Sequence, residues 1–237
     1  MTRYLFVGAL AFATLGPAIA ADLPQPMPPP PPPQAPAAYM PVTASVYNWG
    51  GIYFGVNGGY GLGPSNWTGG TVAGGNFFTT GNFNVSGPVA GPTLGVNIQA
   101  DAFVFSVEGD FDASWIKGST TSCVPPVACE TENNWLATAR ARLGYAVDRL
   151  LIYGTVGGAF GKIAANTSGT TFQQAPEAGW TAGGGVETAF SDNWTVRAEY
   201  LFVDLQDANL TGAVVTPMTV KLDNISIVRL GLDYKFR

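Results

Sequence analysis

Histidine is absent from this chain of 237 residues. With it go the usual metal ligand, the usual general base and any Ser-His-acid triad. The two cysteines make a poor metal site without a histidine beside them. Charged residues are scarce, at 11%, and their formal sum is −5, which argues against nucleic acid as a partner. Beyond the first 20 residues no stretch approaches roughly 18 uninterrupted apolar residues, the length a membrane-crossing helix needs. What the chain does contain is 31 glycines, 12% aromatic residues and a mildly positive mean hydropathy. That is too apolar for disorder, and alternation spreads the apolarity instead of concentrating it.

Residues 1–20 have the form of an export signal. Arg3 is the positive start, Leu5 to Leu15 the apolar stretch, and Ala18-Ile19-Ala20 the small-residue cleavage site. Gly16-Pro17 interrupts a run already too short to span a bilayer. Residues 21–48 form a proline-rich linker with an unbroken run from Pro28 to Pro33. Such a segment favours an extended polyproline II rod and cannot join a sheet. It reads as a periplasmic spacer, with binding to peptidoglycan or another envelope partner as the alternative. Residues 49–237 are left for the folded domain.

The clearest pattern lies between Gly179 and Val203. Trp180, Ala182, Gly184, Val186, Thr188 and Phe190 alternate with Thr181, Gly183, Gly185 and Glu187. After Ser191-Asp192-Asn193 the pattern restarts as Trp194, Val196, Ala198, Tyr200 and Phe202 against Thr195, Arg197 and Glu199. A period of two broken by a polar turn is a β-hairpin. Phe190 then opposes Trp194, and Glu187 opposes Arg197. The charges share their side with Gly183 and Gly185, where little else fits. That places the charges inside a closed barrel and turns Trp, Val and Tyr towards lipid.

The same alternation recurs along the chain. Ile52 to Tyr60, Pro92 to Ala100, Phe103 to Trp115, Trp135 to Tyr145, Ile152 to Phe160 and Val228 to Phe236 each carry an apolar outward set. Asp101-Ala102 and Asp148-Arg149 are two-residue turns, across which the outward parity flips as geometry requires. Longer polar segments, about 61–86, 162–178 and 204–223, read as loops, as does the stretch around Cys123 and Cys129. Eight strands, three short turns and four long loops, in strict alternation, describe an all-β, eight-stranded antiparallel up-and-down transmembrane β-barrel. Trp49, Phe103, Phe105, Tyr145, Phe190, Trp194, Tyr234 and Phe236 form an expected aromatic girdle near the short turns. Tyr60, Trp115, Trp135, Phe160, Trp180 and Phe202 form another near the loops.

Gly179-Trp180-Thr181-Ala182-Gly183-Gly184-Gly185-Val186-Glu187, Arg197-Ala198-Glu199-Tyr200-Leu201 and Arg140-Ala141-Arg142-Leu143-Gly144-Tyr145 resemble the opacity-type, porin-like small outer-membrane proteins. So do Asn193-Trp194, Trp135-Leu136-Ala137-Thr138 and Trp49-Gly50-Gly51-Ile52-Tyr53. The nearest branch is that of the alphaproteobacterial surface antigens, and the likeness covers about Trp49 to Phe236. It implies a barrel in the cell outer membrane, with a periplasmic N-terminus and surface loops. It also implies recognition of the C-terminal strand by the barrel-assembly machinery, here with Phe236 penultimate and Arg237 after it.

The inward charges are Glu108, Asp110, Asp112, Glu187, Glu199 and Asp233 against Arg140, Arg142, Arg197, Arg229 and Lys235. Setting Trp115 opposite Trp135 places Asp110 against Arg140 and Glu108 against Arg142, and Glu199 falls opposite Arg229. A barrel of this size is just wide enough for its own side chains, and buried charges need partners. The expected role is therefore a structural, surface-interacting barrel with a filled polar lumen and no enzymatic activity or cofactor. A narrow porin-like channel for small solutes is the alternative. Cys123 and Cys129, in a surface loop of an exported protein, read as a disulfide.

Overall fold

The computed structural model describes residues 47–71, 77–122, 128–167, 170–206, 208–210, 218–222 and 224–236. The strands are β1 (Gly51–Thr71), β2 (Phe77–Thr79), β3 (Phe83–Ala100), β4 (Phe103–Thr120), β5 (Cys129–Val147) and β6 (Leu150–Thr167). They continue as β7 (Thr170–Ala189), β8 (Trp194–Leu205), β9 (Ala208–Leu210), β10 (Met218–Lys221) and β11 (Ile225–Lys235). Among the described residues, eight of these make an antiparallel ring in the order β1-β3-β4-β5-β6-β7-β8-β11, closed by pairing of β11 with β1. Closure leaves the ring with no open edge, the condition for a sheet to cross lipid. The short β2, β9 and β10 add to the loop end of β1.

The period-two pattern sets which way each side chain points. Ile52, Val107, Val156, Val186 and Leu230 are exposed on the outer wall, whereas Glu108, Arg140, Glu187, Arg197 and Asp233 are buried inside. Water alone would reverse that polarity; lipid outside and an ion-paired interior account for it. The two-residue turns 101–102 and 148–149 and the turn 191–193 share one end. Asp101 and Asp148 take left-handed φ values of 52° and 51°, which a short polar side chain tolerates better than most.

All four expected loops are partly strand. β1 runs on to Thr71 and β3 begins at Phe83; β6 and β7 extend to Thr167 and from Thr170; β9 and β10 lie within the last loop. Glycine, serine and threonine there obscure the alternation without breaking it. β5 starts six positions before Trp135, about 20 Å of strand, so the ring continues well past the outer aromatic row.

The pairing of β4 with β5 corrects the expected register by two residues. Ala113, not Trp115, opposes Trp135, Glu108 opposes Arg140, and Asp110 opposes Thr138. A register two apart keeps every side chain on the same wall, so alternation does not distinguish the two. Beyond this pair β5 carries a bulge between Asn133 and Leu136, opposite Ala113 and Ile116. It switches the inward set of β5 from odd positions (Thr131, Asn133) to even ones (Leu136, Thr138, Arg140, Arg142). The other expected oppositions, Glu187 with Arg197 and Glu199 with Arg229, are present.

The outer aromatic rows hold with one correction. Phe103 stands against Tyr145, Trp194 against Tyr234 and Tyr234 against Phe236, all edge to face, with Phe190 exposed nearby. Near the loops Phe111 stacks on Trp135, Trp180 meets Phe202, and Trp115 is exposed. Trp49 is no part of a girdle: it is fully buried in the barrel mouth. It lies before the first strand residue, so the alternation of β1 says nothing of where it points. Cys129 opens β5 instead of lying in the loop, and is buried. Cys123 lies outside the described residues, as do the signal and linker over residues 1–46.

Candidate functional site

The interior is built in three layers, largely from inward positions of successive strands. The layer at the short-turn end comes from Tyr47 and Trp49, which precede β1, with Val104, Leu151, Tyr153 and Ala189 around them. Trp49 donates its indole N–H to the Asp148 carbonyl at 3.0 Å and its backbone N–H to Gln99 Oε1 at 2.6 Å. Tyr47 donates its backbone N–H to Asp148 Oδ1 at 3.3 Å and its hydroxyl to the Asp192 carbonyl at 3.3 Å. Two of the three short turns are thereby tied to a segment the sequence places in the linker.

The middle layer is ionic. Glu108 is its hub: it accepts from Arg142 at 3.0 Å, from Tyr53 at 2.5 Å, and from Arg140 and Arg197. Arg140 continues to Asp110 at 2.8 Å and Glu199 at 3.0 Å. Arg229 joins Asp110 and Asp112, each at 3.1 Å, to Glu199 at 2.7 Å. The acid–base pairs expected between β4 and β5 do form, but on the diagonal, because long side chains bridge a register offset of two. Glu187 and Arg197 are opposed, yet Glu187 accepts from Arg142 at 2.7 Å and Thr195 at 2.6 Å. Arg197 instead crosses the lumen to Glu108 and lies 3.5 Å from Asp233. Four of these bases are arginines, whose planar fork serves several carboxylates at once. Lys235 donates to the Asn48 carbonyl and lies 4.1 Å from the Tyr47 ring, which ties this layer to the one below.

Inward glycines give these side chains their room. A Cβ at Gly185 would lie 2.7 Å from the Tyr153 hydroxyl, and one at Gly231 would lie 2.6 Å from Arg197 Nε. Gly95 and Gly55 do the same for Tyr53 and Asp233. Large and vanishing side chains on neighbouring strands are how a narrow barrel packs full.

The third layer, at the loop end, is apolar and was not foreseen. Trp67, Val85, Val89, Ile116, Leu136, Ile163, Leu201, Val203, Leu205, Leu222, Ile225 and Ile227 form one buried cluster. Trp67 donates its indole N–H to Thr131 at 2.7 Å. The signal was in β8: Tyr200-Leu201-Phe202-Val203 is apolar on both faces, as a strand covered on both faces must be. Lipid covers one face and this cluster the other.

A profile of the outer membrane protein beta-barrel domain matches residues 35–236. The chain is 36% identical over 227 residues to the 31 kDa outer-membrane immunogenic protein of Brucella melitensis, covering 85% of this chain and 89% of that one. It is 32% identical over 204 residues to the 25 kDa outer-membrane immunogenic protein of Brucella canis, covering 86% and 87%. Among solved structures, the outer membrane protein OprG of Pseudomonas aeruginosa superposes with a TM-score of 0.53 at 13% identity, covering 79% of this chain and 97% of that one.

Proposed function

The chain belongs to the outer membrane protein β-barrel family, and from that premise we propose a structural and surface-interaction role in which the lumen carries no solute. The observation that supports this most is the layering: an apolar cluster, an ionic layer and a Tyr47–Trp49 layer fill successive levels of one narrow ring. Solute passage needs a continuous polar path, and two of the three layers are apolar or aromatic. On this reading the short turns and the N-terminus face the periplasm and the long loops face outward. The immunogenic proteins of Brucella named above fit a barrel that displays loops at the surface.

The same reading takes residues 1–20 as the export signal and the linker as a periplasmic spacer, with a peptidoglycan or envelope partner as the alternative; the linker ends before Tyr47 instead of at residue 48, since Tyr47 is seated in the barrel mouth. It takes the C-terminal strand, with Phe236 exposed on its outer wall, as the segment recognised by the barrel-assembly machinery. It pairs Cys123 with Cys129 as a clamp on the second surface loop. No catalytic step is assigned to the buried acids, since arginines and hydroxyls meet most of them.

The test is planar-bilayer recording on the purified, folded protein. Silence at all voltages is the expected result. Discrete current steps that change in an Arg140→Ala variant would establish the competing reading, a narrow channel for small solutes.

A further inference from the structure

We propose that residues 47–50 form a hinged stopper that leaves the short-turn mouth of the barrel and returns, with Lys235 exchanging partners as it does so. The proposal goes beyond the filled-lumen reading, because it concerns one end of the barrel and leaves the loop-end cluster in place.

The two plugs are built differently. The loop-end cluster is carried by ring strands at all but Val220 and Leu222, so its bulk cannot leave without breaking the barrel. Tyr47 and Trp49 are carried by a segment outside any strand, yet they are 3% and 0% exposed. Most of the contacts that hold them use a side chain: Asp148, Gln99 and Asp192 from the turn end, Asn97 donating to the Trp49 carbonyl at 3.1 Å, and Lys235 donating to the Asn48 carbonyl. The chain enters the mouth through Gly50 and Gly51. Gly51 has a φ of 132°, and a Cβ there would stand 2.7 Å from the Phe236 carbonyl oxygen. Only glycine turns the chain at that point without strain.

The carboxylate that shares a strand face with Lys235 completes the case. Asp233 is 1% exposed, and neither carboxylate oxygen makes a hydrogen bond; its ion-pair partner Arg197 stands 3.5 Å away. A buried carboxylate without hydrogen bonds is costly. Lys235 lies two positions further along the same strand face, within about 7 Å between Cα atoms. With the stopper seated, its ammonium is committed to Asn48 and the Tyr47 ring. With the stopper out, both are lost and Asp233 is an acceptor within lysine reach. Each state thus has contacts the other lacks, as a two-state element requires.

The experiment measures labelling of a cysteine beneath the stopper, Val104→Cys, in the full-length folded chain by aminoethyl methanethiosulfonate. Ala189→Cys is run in parallel as a second position, with the parent chain as the blank. Trp49→Gly should speed labelling at least about tenfold, since losing a buried tryptophan costs several kcal/mol of seating. Lys235→Met should also speed it, by loosening the grip on Asn48. Asp233→Asn should slow it, by weakening the open state. Equal rates in the parent and Trp49→Gly would overturn the stopper. An unchanged or faster rate in Asp233→Asn would overturn the partner exchange. Labelling is expected without transmembrane current; a current would defeat the sealed-lumen reading and leave the stopper standing.

Discussion

Replacing Glu108 with glutamine changes one atom and, by count, improves the lumen. The buried set holds six acids, Glu108, Asp110, Asp112, Glu187, Glu199 and Asp233, against five bases, Arg140, Arg142, Arg197, Arg229 and Lys235; the substitution makes it five against five. The structure says the opposite, because charge balance acts locally. Glu108 accepts from Arg140, Arg142, Arg197 and Tyr53, and its side chain is fully enclosed. Glutamine would turn an amide donor towards guanidinium donors and leave three cations sharing one neutral oxygen. Removing one partner of a buried ion pair costs about 3–5 kcal/mol, and three arginines on one carboxylate place Glu108→Gln at the upper end. That is more than a thousandfold in the folded-to-unfolded ratio, at about 1.4 kcal/mol per factor of ten. Equilibrium urea unfolding in lipid vesicles, followed by tryptophan fluorescence, measures it. Adding Arg142→Met should recover part of the loss, since an apolar residue in place of an unpaired charge removes the penalty. A single-variant cost within about 1 kcal/mol of the parent would refute the reasoning, because it would mean that water already screens the hub.

Three further outcomes follow from the same geometry. Gly185→Ala puts a Cβ 2.7 Å from the Tyr153 hydroxyl and 2.5 Å from the Ala198 carbonyl; overpacking of that kind costs about 1–3 kcal/mol, read as a lower urea midpoint. Val186→Arg, at a position 46% exposed on the outer wall, should cost about 2–4 kcal/mol if it sits near the bilayer midplane. A neutral result in vesicles would put that face in water. Leu201→Ala, fully buried in the loop-end cluster, should cost about 2–5 kcal/mol and lower the temperature at which the folded band disappears on gels.

How far the sequence could be read depended on the kind of position. Along Trp180 to Phe202 the parity assigned every side chain to a wall, and the ring strands bear it out. Parity carries no information across the bulge of β5, where the inward set changes from odd to even positions, and it cannot tell registers two apart from one another, so Trp135 was set against Trp115 when it opposes Ala113. It also fails ahead of a strand, and so Trp49 was assigned to the girdle when it belongs to the mouth. The ionic residues were identified correctly, and so were the pairs Asp110–Arg140, Glu108–Arg142 and Glu199–Arg229; Glu187–Arg197 was not, because Arg197 reaches across the lumen to Glu108 past the acid directly opposite it.

From the amino acids alone came the barrel, the inside and outside of each ring strand, and the roster of buried charges. Each of these follows from a period of two, which backbone geometry imposes on neighbours in the chain. The contacts that cross the lumen, the apolar layer at the loop end and the Tyr47–Trp49 layer at the other were decided only by closure of the ring. Side chains from strands far apart in sequence meet across the lumen, and no local pattern encodes which of them will touch.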